Sequence, residues 1–129
     1  MSQGKTNDSA NNNANDSGKA AEILSAQFLE RQGLSIVARN FRCRGGEIDL
    51  ICRDRAVLVF VEVRLRSNAR FGGAGASITA HKQRRIILAA EHYLATQSNP
   101  ECACRFDCIL LDALDQQRIE WLKDAFSAN

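Results

Sequence analysis

Apolar and polar positions follow two periods along this chain. From Gly18 to Gln32, Ala21, Leu24 and Phe28 recur at helical spacing, and Gly33 stands where a helix stops. Leu34 to Phe41, with Ile36 and Val37, reads as a strand, and Arg42 to Gly46 as a basic, Gly-containing loop. Glu47 to Arg53 is a second strand, Asp54 to Ala56 a turn, and Val57 to Leu65 (VLVFVEVRL) a third strand. That third strand is apolar on both faces, as a central strand covered on both sides requires. Ser67 to Ser77 is a Gly/Ala/Ser loop, and Thr79 to Gln97 a long helix capped by Thr79, with Ile86, Ala89, Ala90, Tyr93 and Leu94 as its core stripe. Arg105 to Asp112 is a fourth strand and Arg118 to Leu122 a short fifth, followed by a polar tail. The order α-β-β-β-α-β, with an extra C-terminal strand, predicts an α/β fold with a mixed central sheet flanked by helices.

The first 18 residues carry no large apolar side chain after Met1, so they are expected as a disordered polar tail, with residues 19–129 forming a single domain. No stretch has the length and apolarity of a membrane span. The cysteines, Cys43, Cys52, Cys102, Cys104 and Cys108, are five, and no secretion pattern accompanies them. Free thiols in a reducing, cytoplasmic compartment are therefore expected. The C-x-C-x3-C run is better read as small packed side chains than as a zinc site, because His81 and His92 lie in another predicted element.

Charge is uneven. Residues 39–85 hold ten Arg and one Lys against four acids, whereas residues 86–129 hold three basic and seven acidic residues. The middle of the chain suits a polyanion, with a solvated surface as the plain alternative.

Within this basic region lie acids in unusual places. A hairpin loop at Arg55 and Ala56 pairs Asp54 with Val57, sets Asp49 opposite Glu62 and Glu47 opposite Arg64, and puts all four side chains on one face. Opposed carboxylates repel unless a cation lies between them. A hard divalent ion, Mg²⁺ or Mn²⁺, resolves the conflict, with a backbone carbonyl such as that of Val63 as a further ligand. Such an ion activates water and neutralises charge at a phosphate. Arg64 is expected to reach the same phosphate. The alternative is a salt-bridged sheet face. Lys82, on the core-facing stripe of its helix, is either snorkelling or aimed at the site. Glu22, beside the buried face of the first helix, is an added ligand or an ordinary flanking acid.

Taken together, G-E-I-D-L-I (Gly46 to Ile51), V-F-V-E-V-R (Val59 to Arg64), R-N-F-R (Arg39 to Arg42), R-F-G (Arg70 to Gly72), Lys82, R-F-D (Arg105 to Asp107) and I-E-W-L-K-D-A-F (Ile119 to Phe126) resemble the YraN family of bacterial proteins. That family in turn resembles the restriction-endonuclease-like PD-(D/E)xK fold, and archaeal Holliday-junction resolvases most closely. The resemblance implies Asp49 and Glu62 as metal ligands, Glu22 as the acid of the first helix, and a DNA phosphodiester as substrate. It departs at Arg64, which stands where the signature has lysine. Arginine stays protonated, so it orients and stabilises charge but does not help deprotonate water.

The expected function is a metal-dependent nuclease acting on DNA, including branched DNA, with Asp49, Glu62, Arg64 and Lys82 in the reaction. Arg39, Arg42, Arg44, Arg66 and Arg70 are the expected phosphate contacts. A junction resolvase would be a homodimer, since two strands are cut symmetrically. The rivals are a binding module that keeps the fold without the chemistry, which Arg64 favours, and a protein adaptor using the acidic C-terminal third.

Overall fold

The computed structural model describes residues 9–65 and 78–128. Its elements are α1 (Ser9–Arg31), β1 (Ser35–Cys43), β2 (Gly46–Asp54), β3 (Val57–Leu65), α2 (Ala80–Ala95), β4 (Cys104–Leu111), a 3₁₀ turn (Gln116–Arg118) and β5 (Ile119–Phe126). They form an α/β fold with one five-stranded sheet of order β1-β2-β3-β4-β5. The first three strands form an antiparallel meander, β4 runs parallel to β3, and β5 returns antiparallel. A parallel pair cannot be joined by a hairpin, so the chain crosses over between β3 and β4, and α2 lies on that crossover.

Each helix covers one face of the sheet. Ala21, Ala26 and Leu29 of α1 pack with Leu50, Cys52, Val59, Val61, Ile109 and Leu111. Ile86, Ala89 and Ala90 of α2 pack with Ile48, Ile51, Phe60, Phe106 and Leu110. β3 serves both cores in alternation, Leu58 and Phe60 on the α2 side and Val59 and Val61 on the α1 side, as its two-sided apolarity predicts.

Three boundaries differ from the sequence expectation. α1 starts at Ser9, so part of the stretch assigned to a disordered tail is helical. Extending an existing helix adds a hydrogen bond for each residue fixed and needs no new nucleus, so it does not require apolar side chains. The basic loop of Arg42 to Gly46 shrinks to a turn, because Arg42 pairs with Glu47 and Cys43 with Gly46. β5 runs on through the supposed polar tail to Phe126, whose ring stacks on Phe106 at 4.8 Å. The Ser67 to Ser77 loop, with Arg66 before it, lies outside the described residues. Among the described residues no helix is long and apolar enough to cross a membrane.

Two glycines set how closely elements approach. At Gly33 (φ 100°) the Leu34 N–H bonds back to the Leu29 carbonyl and the Gly33 N–H to that of Glu30, an αL stop that turns the chain from α1 into β1. Gly46 lies against α2, where an added Cβ would collide with the Arg85 carbonyl oxygen and sit 3.2 Å from Ala89.

Gly46→Ala is therefore expected to destabilise the fold by about 1–3 kcal/mol, because a helix carbonyl cannot move aside cheaply. Gly18→Ala, in α1 with nothing within 4 Å of the new methyl, should instead stabilise by about 0.5–1 kcal/mol. Urea denaturation of both variants measures the two signs.

Candidate metal and nucleic-acid site

The hairpin register between β2 and β3 runs from Asp54/Val57 to Leu50/Val61. Beyond it the Val63 N–H donates to Oδ2 of Asp49 at 2.8 Å. A side chain thus takes a donor that a ladder carbonyl would otherwise receive, and β2 and β3 part at this point. The expected pairing of Glu47 with Arg64 does not form: Glu47 pairs with Arg42, and Arg64 with Leu110.

Nor does strict alternation hold through β2. Ile48 belongs to the core under α2 and Leu50 to the core under α1, although they are two residues apart. The strand turns over at Asp49. β1 turns over beside it, at Asn40, which adopts φ 51° between the pairs Arg39/Leu50 and Phe41/Ile48. The single face proposed for Glu47, Asp49, Glu62 and Arg64 is corrected accordingly: these residues gather at the end of the sheet through a paired kink. An αL residue is tolerated best when it is Gly, Asn or Asp, which is the one signal Asn40 offers in the sequence.

The kink lets both helices reach the same place. From the α1 side, Glu22 accepts from Asn40 Nδ2 at 3.2 Å and lies close enough to Asp49 to feel its charge. From the α2 side, Lys82 puts Nζ 3.4 Å from Oε2 of Glu62 and 4.0 Å from Oε2 of Glu47. Asp49 and Glu62 also stand close enough for the Glu62 charge to raise the Asp49 carboxyl. The three acids Glu22, Asp49 and Glu62 thus form a chain with Asp49 in the middle. It is a chain and not a closed ring: among the described residues, no three His, Cys, Asp or Glu side chains converge as a metal-ligand set.

Burial sets the electrostatics. Glu62 is 6% exposed on a central strand. Desolvation, and then the Glu62 charge, push the Asp49 carboxyl up to about 7, against the Val63 N–H and the Lys82 ammonium, which favour the charged form. Burial likewise raises Glu22 above the usual carboxylate range. Cys108, next to Glu62 in the parallel register, is buried and has its thiol pushed up to about 12, first by desolvation and then by Glu62. In the metal-free protein it stays protonated at neutral pH.

This donor set fits a hard cation of modest demands. Mg²⁺ commonly uses one or two carboxylates, with waters and substrate phosphate oxygens completing its shell. Asp49 and Glu62 supply such a pair, the Val63 carbonyl lies on the adjoining residue, and Glu22 stands one contact away. Beside them opens a recess of ≈ 380 Å³ lined by Glu62, Val63, Arg64, Leu65, Thr79 and Lys82.

Of the expected phosphate contacts, Arg39, Arg42 and Arg44 are exposed on β1 and its turn. Arg66 and Arg70 lie outside the described residues. Sequence reading overlooked the basic first turns of α2. His81 and Arg84 are exposed there, Arg85 is half-buried, and the contact of Gly46 with α2 brings them alongside the β1–β2 turn. The signal was available in the H-K-Q-R-R run, of which only Lys82 was singled out.

A family model described as Uncharacterised protein family UPF0102 matches residues 21–111. Similar proteins, each called UPF0102 protein, occur in Dechloromonas aromatica (60% identical over 120 residues, 93% of this chain and 96% of the relative) and Methylobacillus flagellatus (55% over 111 residues, 86% and 96%). A third, in Ralstonia pickettii, is 54% identical over 116 residues, 87% of this chain and 90% of the relative.

The raised Asp49 carboxyl fixes a sign. Between the unfolded value near 3.8 and the folded value of about 7, the native state binds the extra proton. The stability this proton supplies is present below pH 4 and lost as pH rises through 7. Metal-free protein in EDTA should therefore lose stability from pH 5 to pH 8, and Asp49→Asn should flatten that slope. A slope unchanged by the substitution, read by chemical denaturation at the two pH values, would sink the assignment.

Proposed function

Since this chain belongs to the UPF0102 family, the YraN family its motifs point to, and carries a buried Glu62 beside a half-buried Asp49 at a sheet end, we propose that it is a metal-dependent nuclease acting on DNA phosphodiesters, branched DNA included. The observation that carries the reading is the close acid pair Asp49–Glu62, set where β2 and β3 part and flanked by Arg64 and Lys82. Two carboxylates held this close in a buried strand pair are costly in the absence of a cation.

The residues divide the work by chemistry. Asp49 and Glu62 hold the ion, with the Val63 carbonyl and Glu22 as supplementary oxygens. The Val63 N–H fixes one oxygen of Asp49, so the carboxylate is oriented before any ligand arrives. A bound Mg²⁺ or Mn²⁺ supplies charge neutralisation at the scissile phosphate and an acidified water. Arg64 offers a planar, permanently charged donor to phosphate oxygens. Lys82 adds a second cation from α2. Arg39, Arg42 and Arg44 with His81, Arg84 and Arg85 form the surface along which the phosphate backbone lies, so affinity should fall steeply with salt. Symmetric cutting of a four-way junction requires a second copy of the site, and the proposal carries a homodimer for that substrate.

Arg64 supports one rival, a nucleic-acid-binding protein of the same fold with little or no cleavage. It stands where a lysine able to shed its proton would assist the water.

Incubation of the protein with labelled duplex, single-stranded and four-way-junction DNA, in Mg²⁺, Mn²⁺ or EDTA, separates the readings. Metal-dependent cleavage that drops about 10²-fold or more in Glu62→Ala is expected, and Arg64→Lys should cleave at least as fast as wild type. Equal cleavage by wild type and Glu62→Ala contradicts the site. Tight binding without cleavage in either metal favours the binding module.

A further inference from the structure

Glu62 is almost wholly buried yet lies beside a second acid, Asp49, so its charge needs a counter-ion whenever no metal is bound. The described groups facing it include Lys82, whose Nζ is 3.4 Å from its carboxylate. The backbone of Lys82 is firmly set: its N–H donates to the Thr79 hydroxyl at 3.1 Å, and Gln83 Nε2 donates to the Ile78 carbonyl at 2.9 Å. Its side chain is a flexible four-carbon stem, and Nζ also lies 4.0 Å from Glu47. Glu47 is more exposed than Glu62 and is shared with Arg42, whose Nε is 3.7 Å away. The ammonium therefore stands between a buried acid and a solvated one.

We propose that Lys82 is the resident counter-cation of Glu62, displaced when a divalent metal ion binds, and that Glu47 receives the displaced ammonium. The inference rests on the metal-site reading above and deepens it. A cation of charge +2 competes for the Glu62 oxygen that Lys82 now faces, and two cations cannot share it without repulsion. Moving the ammonium towards Glu47 keeps it within the recess that Arg64 also lines, where it faces the incoming phosphate. Lys82 is thus a positioning and charge-balancing residue in the metal-free protein and a phosphate donor in the loaded one. The lysine lost from β3 at Arg64 has a functional counterpart on α2.

The proposal predicts opposite effects on metal binding and on cleavage. Mn²⁺ alone is titrated calorimetrically into wild type, Lys82→Met, Lys82→Arg, Glu47→Gln and Glu62→Gln, each checked for folding by circular dichroism. Lys82→Met should bind Mn²⁺ about three- to tenfold more tightly, since no ammonium has to be displaced, while its cleavage of DNA falls. Lys82→Arg should bind as wild type does, and Glu47→Gln more weakly. Should the methionine variant not fold, Lys82→Gln carries the same expectation. Unchanged or weaker Mn²⁺ binding in the charge-removing variant overturns the counter-cation role. Mn²⁺ binding left intact in Glu62→Gln means instead that the metal-site reading itself has failed.

Discussion

A single hydrogen bond organises this end of the molecule. The Val63 N–H goes to the Asp49 carboxylate and not to a ladder carbonyl. A buried backbone donor must find an acceptor, so once the side chain supplies it the two strands are free to diverge. Divergence opens the sheet between β2 and β3 and leaves Glu62 at the edge of the gap. The same bond orients Asp49 against Glu62, and desolvation then sets their repulsion. Opening, orientation and electrostatic tension come from one substitution of a side-chain oxygen for a main-chain one.

The rest of the fold serves to bring groups to that opening from both faces. Gly33 ends α1 so that Glu22 reaches Asn40 and Asp49 from one side. Gly46 lets the β1–β2 turn lie directly on α2, and the early turns of α2 carry Lys82 to Glu62 from the other. At the far end of the sheet lies a different polar network. Asp107, with no exposed surface, accepts from Arg105, Trp121 and the Asp124 N–H, and Arg105 continues to Asp54. Both Asp107 oxygens are paired within the protein, and Arg105 Nη2 is left without a partner among the described residues. The Asp49–Glu62 pair differs in that its acids lean on each other.

Much of this was legible in the residues. The two-sided apolarity of Val57–Leu65 marked the central strand, and the Arg55–Ala56 turn fixed the register as far as Leu50/Val61, one step short of the expected Asp49/Glu62 pair. The stripe of Ile86, Ala89 and Ala90 gave the buried face of α2. The paired kink at Asn40 and Asp49 was not legible, because period-2 reasoning assumes unbroken alternation and a lone αL asparagine leaves little trace. β5 was cut short for a related reason. Lys123 and Asp124 look like the start of a polar tail, and the stacking of Phe126 on Phe106, distant in sequence, shows why the strand runs on past them. The early start of α1 follows from helix propagation, which apolar periodicity does not report.

Arg64 is where the chemistry is under most strain, since a permanently protonated side chain stands next to the acid pair. The proposed answer is a lysine from another element, Lys82, together with a metal ion between the acids. Crystals soaked in Mn²⁺ and measured for anomalous scattering test that answer most directly. The account predicts a peak within about 2.0–2.3 Å of both Asp49 and Glu62 carboxylates, with the Lys82 ammonium withdrawn from Glu62. No peak at this position, with Lys82 still against Glu62 at saturating Mn²⁺, would contradict it.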